Sequence, residues 1–383
     1  MKKIIATILI ISMCLCLSVS ASAENISDLS DEILTEKCRL YHIEIDPFNE
    51  LFDESMHGDF FFDENCDIYL NVVPEKLTSE MVAYISESNR RLMKNPLTQK
   101  GIQIVKAKYT LKELKEIQNK AIKYFSPYGL SGSGIDISTQ EIEIELTTLF
   151  TPTFSSENFD YQYRNILNIK YAGTLQQTEH KSTSNTIGNE SLPNSVAIKV
   201  NPATLGYSGG MGATFSWGVR YNGKTCYLFC GHNMTKGNAV FSNGVNVGNI
   251  VNIFLGGVLD CSFIERADSA KSIGIYLPNG RQLPYGTPST NYKYNELINM
   301  YGGVTGHTTG RIKIVSGTSG VGLTTIRDVI KADLSSRSGD SGAPIYNSAP
   351  IGILSGWESA SGYSIIIPLK NIVSGTGMSL APF

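Results

Sequence analysis

The first residue that could do chemistry is a serine framed by glycines. In Ser338-Gly339-Asp340-Ser341-Gly342-Ala343-Pro344 the glycines let the backbone bend so that the N–H groups of Gly339 and Ser341 can point into one small space. Such a pair can hold an oxyanion, worth about 3–4 kcal/mol of transition-state stabilisation per donor. A serine hydroxyl is a weak nucleophile and needs a neighbouring base. Of five histidines, only His232 and His307 lie beyond residue 195. His232 closes the apolar run Tyr227-Leu228-Phe229-Cys230-Gly231, which reads as a buried strand ending at a rigid corner, while His307 lies in a Gly/Thr stretch that reads as a solvated loop. The imidazole must be held in one tautomer, normally by a buried carboxylate. Asp260 fits, because it stands between Val258-Leu259 and Cys261-Ser262-Phe263-Ile264, where an unpaired charge is costly. Asp268, Asp328 and Asp333 have more polar surroundings. A Gly-Asp-Ser-Gly run alone is often a plain polar turn, and a lone histidine at a strand end is more often structural. Together, in the order His232, Asp260, Ser341, they supply base, orienter and nucleophile for acyl transfer. Asp340 is placed to pair with an N-terminus freed by cleavage.

The elements that must position these residues differ along the 383-residue chain. Over 195–383 glycine is dense and helical periodicity nearly vanishes. Phe215, Trp217, Val219 and Tyr221 alternate, Asn222-Gly223 signals a tight turn, and a second strand follows over 225–229. Short strands are expected at 245–251, 261–264, 311–315, 351–354 and 364–367, a pattern of sandwiches or paired barrels. Gly209-Gly210-Met211-Gly212 opens no helix, so it reads as a turn and not a phosphate cradle.

Residues 24–175 read as an α+β unit. Thr78 and Ser79 predict a helix running to about residue 93. Thr110 and Glu113 have capping-box spacing ahead of a stripe at Leu111, Leu114, Ile117, Ala121 and Ile122. A hairpin pattern follows: Ile135 and Ile137, a polar turn, then Ile142, Ile144 and Leu146 alternating with Glu141, Glu143 and Glu145. One face is apolar and the other acidic. Residues 176–194 are polar with little to bury, an exposed linker of the kind proteases cut.

Lys2 and Lys3, an apolar run from Ile4 to Val19, and Ala21-Ser22-Ala23 have the order of a secretory signal peptide over 1–23. The run is short for a spanning helix, and Cys14 and Cys16 do not sit where lipid attachment needs them. The product is expected to be secreted and extracellular, with no stable membrane association. Five cysteines remain beyond residue 23: Cys38, Cys66, Cys226, Cys230 and Cys261. An odd, sparse set is not a disulfide framework. Cys226 and Cys230, if in one strand, lie about 13 Å apart, too far to bridge. Free, buried thiols are expected, with the redox state of Cys226, Cys230 and Cys261 left open. The net charge of −3, without a basic run, gives no support to nucleic acid as partner. No His-Glu-x-x-His or Cys-x-x-Cys is present, so neither metal nor cofactor is expected.

Cys230-Gly231-His232, Leu259-Asp260-Cys261-Ser262-Phe263 and Gly339-Asp340-Ser341-Gly342-Ala343-Pro344 resemble the three signature segments of chymotrypsin-like serine proteases. Gly306-His307-Thr308-Thr309-Gly310 followed by a strand resembles the bacterial branch of streptogrisins and α-lytic protease, and Ser355-Gly356-Trp357 is similar to the segment lining the substrate cleft there. The matches span roughly 195–370. The resemblance implies a mainly β catalytic unit of two six-stranded antiparallel Greek-key β-barrels with the active site between them. It implies an α+β pro-region ahead of that unit, acting as folding chaperone and inhibitor. His232 would be general base, Asp260 its orienter and Ser341 the nucleophile, with Gly339 and Ser341 as oxyanion donors. Ser355, Gly356 and Trp357 would bind substrate, Ser355 also bonding near Asp260. The chain departs from its relatives at Asn233, where they usually have cysteine, and at Ser335-Ser336-Arg337-Ser338, where they usually carry a bridge. It departs again at Ala343 and Trp357, both often glycine. Trp357 is expected to narrow the primary pocket towards small or medium apolar side chains.

The protein expected from this is a monomeric secreted serine endopeptidase, made as a zymogen. It acts on peptide or protein substrates and binds its own pro-region before maturation. Its activity should rise through about pH 6–7 as a histidine base loses its proton. The competing reading is a catalytically silent secreted binding module on the same barrel; the presence of all three residues, each in its own segment, argues against it. An esterase is a third reading, but no Gly-x-Ser-x-Gly elbow lies at a strand-to-helix turn.

Overall fold

The computed structural model describes residues 30–147, 161–172, 198–267, 270–273, 276–321, 324–358 and 361–381. The segments read as signal peptide (1–23) and linker (176–194) lie outside them.

The described residues open on a helix, α1 (Asp31–Leu51), that the sequence pattern conceals. Its buried stripe is Lys37, Cys38, Tyr41, Glu44, Ile45 and Phe48, which is helical spacing. Two members are charged and paired: Lys37 with the buried Asp67 at 2.6 Å and Glu44 with the half-exposed Arg91 at 2.6 Å. Those charges, and Pro47 within the helix, break the apolar period. The next two described α-helices start at their caps. The Thr78 hydroxyl accepts from Met81 N–H at the head of α2 (Ser79–Leu92), and Thr110 with Glu113 completes a capping box for α3 (Leu111–Phe125).

α1, α2 and the small sheet of Phe60–Phe62, Ile68–Val72 and Gln103–Lys106 share one core, which also takes Leu297 from the C-terminal unit. α3 covers the apolar face of the hairpin Leu130–Asp136 and Glu141–Thr147, where Ile142, Ile144 and Leu146 are fully buried. This hairpin has no sheet of its own. Ser133 and Gly132 pair with Thr318 and Ser319, so the hairpin and Leu167–Ala172 extend a C-terminal sheet to nine strands.

The C-terminal unit is mainly β. Leu297–Gly302, Pro344–Tyr346, Pro350–Trp357, Ser364–Pro368, Thr324–Ala332 and Gly306–Val321 pair in that order, and the last pairs back to the first, closing a ring of six. Ile298, Ile312, Ile330, Ile345, Leu354 and Ile366 fill it. The other sheet runs in the order Ser379–Leu380, Gly218–Tyr221, Lys224–Phe229, Leu259–Arg266, Val245–Gly256, Ala239–Ser242, Leu205–Ser208, Met211–Thr214, and its two ends do not pair among the described residues. One face of it encloses Phe215, Tyr227, Phe229, Val240 and Ile264. On its other face Val219, Leu228, Cys261 and Phe263 meet Ile353 and Ile367 of the ring. Residues 226–229 of this strand are therefore buried on both faces, which is why Cys226-Tyr227-Leu228-Phe229 is an unbroken apolar run, while Lys224 at the strand's start is exposed.

Two local expectations change. His307 lies in the strand Gly306–Val321, exposed, with Nε2 3.1 Å from Asn299 Oδ1, and not in a loop. A helix, α4 (Leu369–Thr376), follows Pro368 and buries Leu369 and Ile372; it is too short to leave a period in the sequence.

Candidate active site

Asp260 is the second residue of Leu259–Arg266, and His232 stands just past the end of Lys224–Phe229, the strand that pairs with it. The corner between strand and histidine is Gly231. A side chain there would meet Cys261 N, Cys261 O and Phe254 O, each at 2.8 Å, so only glycine allows the approach. That approach brings the N–H groups of Gly231 and His232 onto Asp260 Oδ1, at 2.9 and 2.7 Å. Asp260 Oδ2 accepts from His232 Nδ1 at 2.6 Å and from the Ser355 hydroxyl. The carboxylate is completely buried, which pushes its pKa up. The imidazole and these donors outweigh burial and hold it below the usual carboxylate range. With Nδ1–H given to Asp260, Nε2 is left as an acceptor, 3.1 Å from Ser341 Oγ.

Ser341 sits on a turn that depends on its glycines. Gly339 and Gly342 have φ of +98° and +90°, and a side chain at Gly342 would strike the carbonyl oxygen of Thr214. Thr214 ties the turn to the other sheet: its N–H donates to Ser341 O and its hydroxyl to Gly339 O, both at 2.7 Å. The N–H groups of Asp340, Gly342 and Ala343 have backbone acceptors in Arg337, Leu354 and Asp340. Those of Gly339 and Ser341 have no backbone acceptor among the described residues. The expected role of Asp340 does not fit this geometry. Its buried carboxylate accepts from the N–H groups of Val304 (2.9 Å), Thr305 (3.1 Å) and Arg337 (2.8 Å) and from the Thr305 hydroxyl. Four uncharged donors complete it without a freed amino group.

Ser355 is the extra residue of a β-bulge, where Pro350–Trp357 slips register against Ser364–Pro368. The bulge turns its hydroxyl to Asp260, and its carbonyl oxygen is 3.3 Å from Ser341 Oγ. Gly356 faces open space. Trp357 is 54% exposed, and its indole N–H donates to Gly362 O at 3.1 Å, so the ring rests on its own loop. Thr214 is the contributor that the sequence did not single out; a threonine in a short strand carries no signal until the fold sets its two donors on the turn. The five described cysteines are free and buried. Burial first, and the Asp260 charge second, push the Cys230 and Cys261 thiols up, so neither offers a thiolate. Cys226 is pushed up to about 11 by burial and then Glu265.

No family model matches the chain, and no curated protein matches it. Solved structures do. They are bacterial chymotrypsin-like serine proteases. Thermobifida fusca protease A is 20% identical, with a TM-score of 0.42 over 49% of this chain and 100% of that one. Cellulomonas bogoriensis chymotrypsin is 18% identical, TM-score 0.41, over 49% and 100%. The alpha-lytic protease homolog N4 is 18% identical, TM-score 0.41, over 48% and 100%. Among the described residues no helix is long and apolar enough to cross a membrane.

Proposed function

We propose that this chain is a secreted serine endopeptidase, made as a zymogen, that hydrolyses peptide bonds through an acyl-enzyme. The observation that carries the proposal is the hydrogen-bonded series Asp260–His232–Ser341, in a turn whose Gly339 and Ser341 N–H groups have no backbone acceptor among the described residues. In the first half-reaction Ser341 Oγ attacks the peptide carbonyl while His232 Nε2 takes its proton. The carbonyl oxygen, now an oxyanion, is received by the N–H groups of Gly339 and Ser341. His232 then donates the proton to the leaving amine. Water attacks the acyl-enzyme by the same route in reverse and frees the acid. Asp260 keeps the imidazole in the Nδ1–H tautomer and stabilises its cation.

The finer assignments belong to the same proposal. The C-terminal unit is a pair of Greek-key barrels with the site between them. Residues 24–175 are a pro-region, and processing falls within 176–194. Ser355, Gly356 and Trp357 form the strand along which the acyl side of a substrate lies, with Trp357 favouring small or medium apolar side chains. Mass spectrometry of secreted material, wild type beside Ser341→Ala, tests this. Cleavage within 176–194 in wild type alone supports a self-processing endopeptidase. Identical processing with no peptide turnover by wild type removes the proposal and favours a silent binding module.

A further inference from the structure

Where the N-terminal hairpin joins the ring of six, three ionisable side chains are buried together. Lys331 Nζ lies 3.1 Å from Glu145 Oε2 and 2.9 Å from Glu358 Oε2. Lys331, Glu145 and Glu358 are 0%, 1% and 6% exposed. Lys331 and Glu358 belong to the C-terminal unit, and Glu145 to the acidic face of Glu141–Thr147. Gly132 makes the room, since a side chain there would collide with Glu145 Oε2 and crowd Lys331 Nζ.

Charge and donors are divided unequally. Glu358 accepts from Lys331, from the Ser319 hydroxyl at 3.1 Å and from the Ser361 hydroxyl at 2.7 Å. It makes a complete and neutral pair with Lys331 inside one unit. Among the described residues Glu145 has no donor but the shared ammonium, its Oε1 is buried without a donor partner, and the Glu358 carboxylate is its close neighbour. The other groups near it bring no spare positive charge. Lys170, its partner on the neighbouring strand, is 2.5 Å from Glu143. Ser319 and Tyr363 are uncharged. Two ionised carboxylates on one ammonium would bury a net negative charge, which is costly unless one of them holds a proton.

We propose that a proton fastens the N-terminal unit to the catalytic unit: Glu145 docks as a neutral carboxyl, and the joint loosens as pH rises. Burial first, then the Glu358 charge, push the Glu145 carboxyl up to about 7 against the pull of Lys331. The undocked carboxyl ionises near the ordinary value of about 4.3. Between those two values the docked state holds a proton that the open state lacks. Docking is therefore strongest in acid, weakens by up to about tenfold per pH unit through that window, and levels off above it.

The test needs no turnover, so it can fail independently of the endopeptidase proposal. Amide hydrogen exchange is followed in the full chain carrying Ser341→Ala. The reporters are residues 131–133 and 317–319, on either side of the strand pairing across the joint, with rates corrected for intrinsic pH dependence. The opening constant is expected to rise about fortyfold from pH 5 to pH 7 and only about twofold from pH 7 to pH 8. Glu145→Gln should flatten that rise. So should Glu358→Gln, which leaves Lys331 a single carboxylate partner. A pH-independent opening constant in the Ser341→Ala chain overturns the proposal, and so does a rise that either added variant leaves unchanged. If neither variant folds, the profile of the Ser341→Ala chain decides alone.

Discussion

Asp260 and Glu145 are both buried carboxylates, and their surroundings drive them in opposite directions. Asp260 has four donors, two of them backbone N–H groups brought close by Gly231, and is held below the usual range. Among the described residues Glu145 has half of one lysine and an oxygen with no donor partner, and is raised to about 7. Depth of burial is the same, so the number and geometry of donors decide which one stays charged. One is built to remain an anion beside a histidine; the other is built to gain and lose a proton.

Four substitutions put that contrast to the test. The largest effect is expected from Ser341→Ala, which leaves the Asp260–His232 pair with nothing to activate. Peptide turnover by the processed protein should fall by about 10⁶ in kcat. Asp260→Asn keeps the shape but replaces an acceptor with a donor facing His232 Nδ1, favouring the wrong tautomer. A loss of about 10⁴ in kcat with unchanged circular dichroism is expected; a loss under tenfold would show that the four-donor site does not orient the base. Glu145→Gln should abolish the rise in opening of the N-terminal joint, about fortyfold from pH 5 to pH 7 in the parent chain, a rise opposite in sign to what a depressed carboxylate would give. The smallest effect belongs to Ser355→Ala, which removes one donor of four from Asp260. About 1.5–3 kcal/mol of stability and roughly tenfold in kcat are expected, measured by denaturant unfolding and steady-state kinetics.

How much of this could be read from the sequence depended on what each buried group needed. Strands buried on both faces are almost wholly apolar, so Tyr227–Phe229 and Cys261–Ile264 declare themselves (Ser262 alone is polar, its hydroxyl bonded to Cys230 O), and His232 and Asp260 at their ends stand out by contrast. Helices α2 and α3 were legible from caps and stripes, because Thr78, Thr110 and Glu113 satisfy backbone groups locally. Helix α1 was hidden because Lys37 and Glu44 lie in its buried stripe, and their partners Asp67 and Arg91 are known only from the fold. The joining of the hairpin to the C-terminal sheet was hidden for another reason: Gly132 and Ser133 pair with Ser319 and Thr318 through backbone atoms, which leave no mark on residue type. The acidic alternation of Glu141, Glu143 and Glu145 was visible, but a strand's polar face looks alike whether water or a lysine covers it.

The most direct measurement is the rate at which a labelled fluorophosphonate modifies the secreted, processed protein, wild type beside His232→Ala, with the adduct located by mass spectrometry. A single adduct on Ser341, formed at least about 10³ times faster in wild type, is the predicted result, since that hydroxyl needs the imidazole to take its proton. No adduct at Ser341, or equal rates with and without the imidazole, would contradict the Asp260–His232–Ser341 series as a working nucleophile.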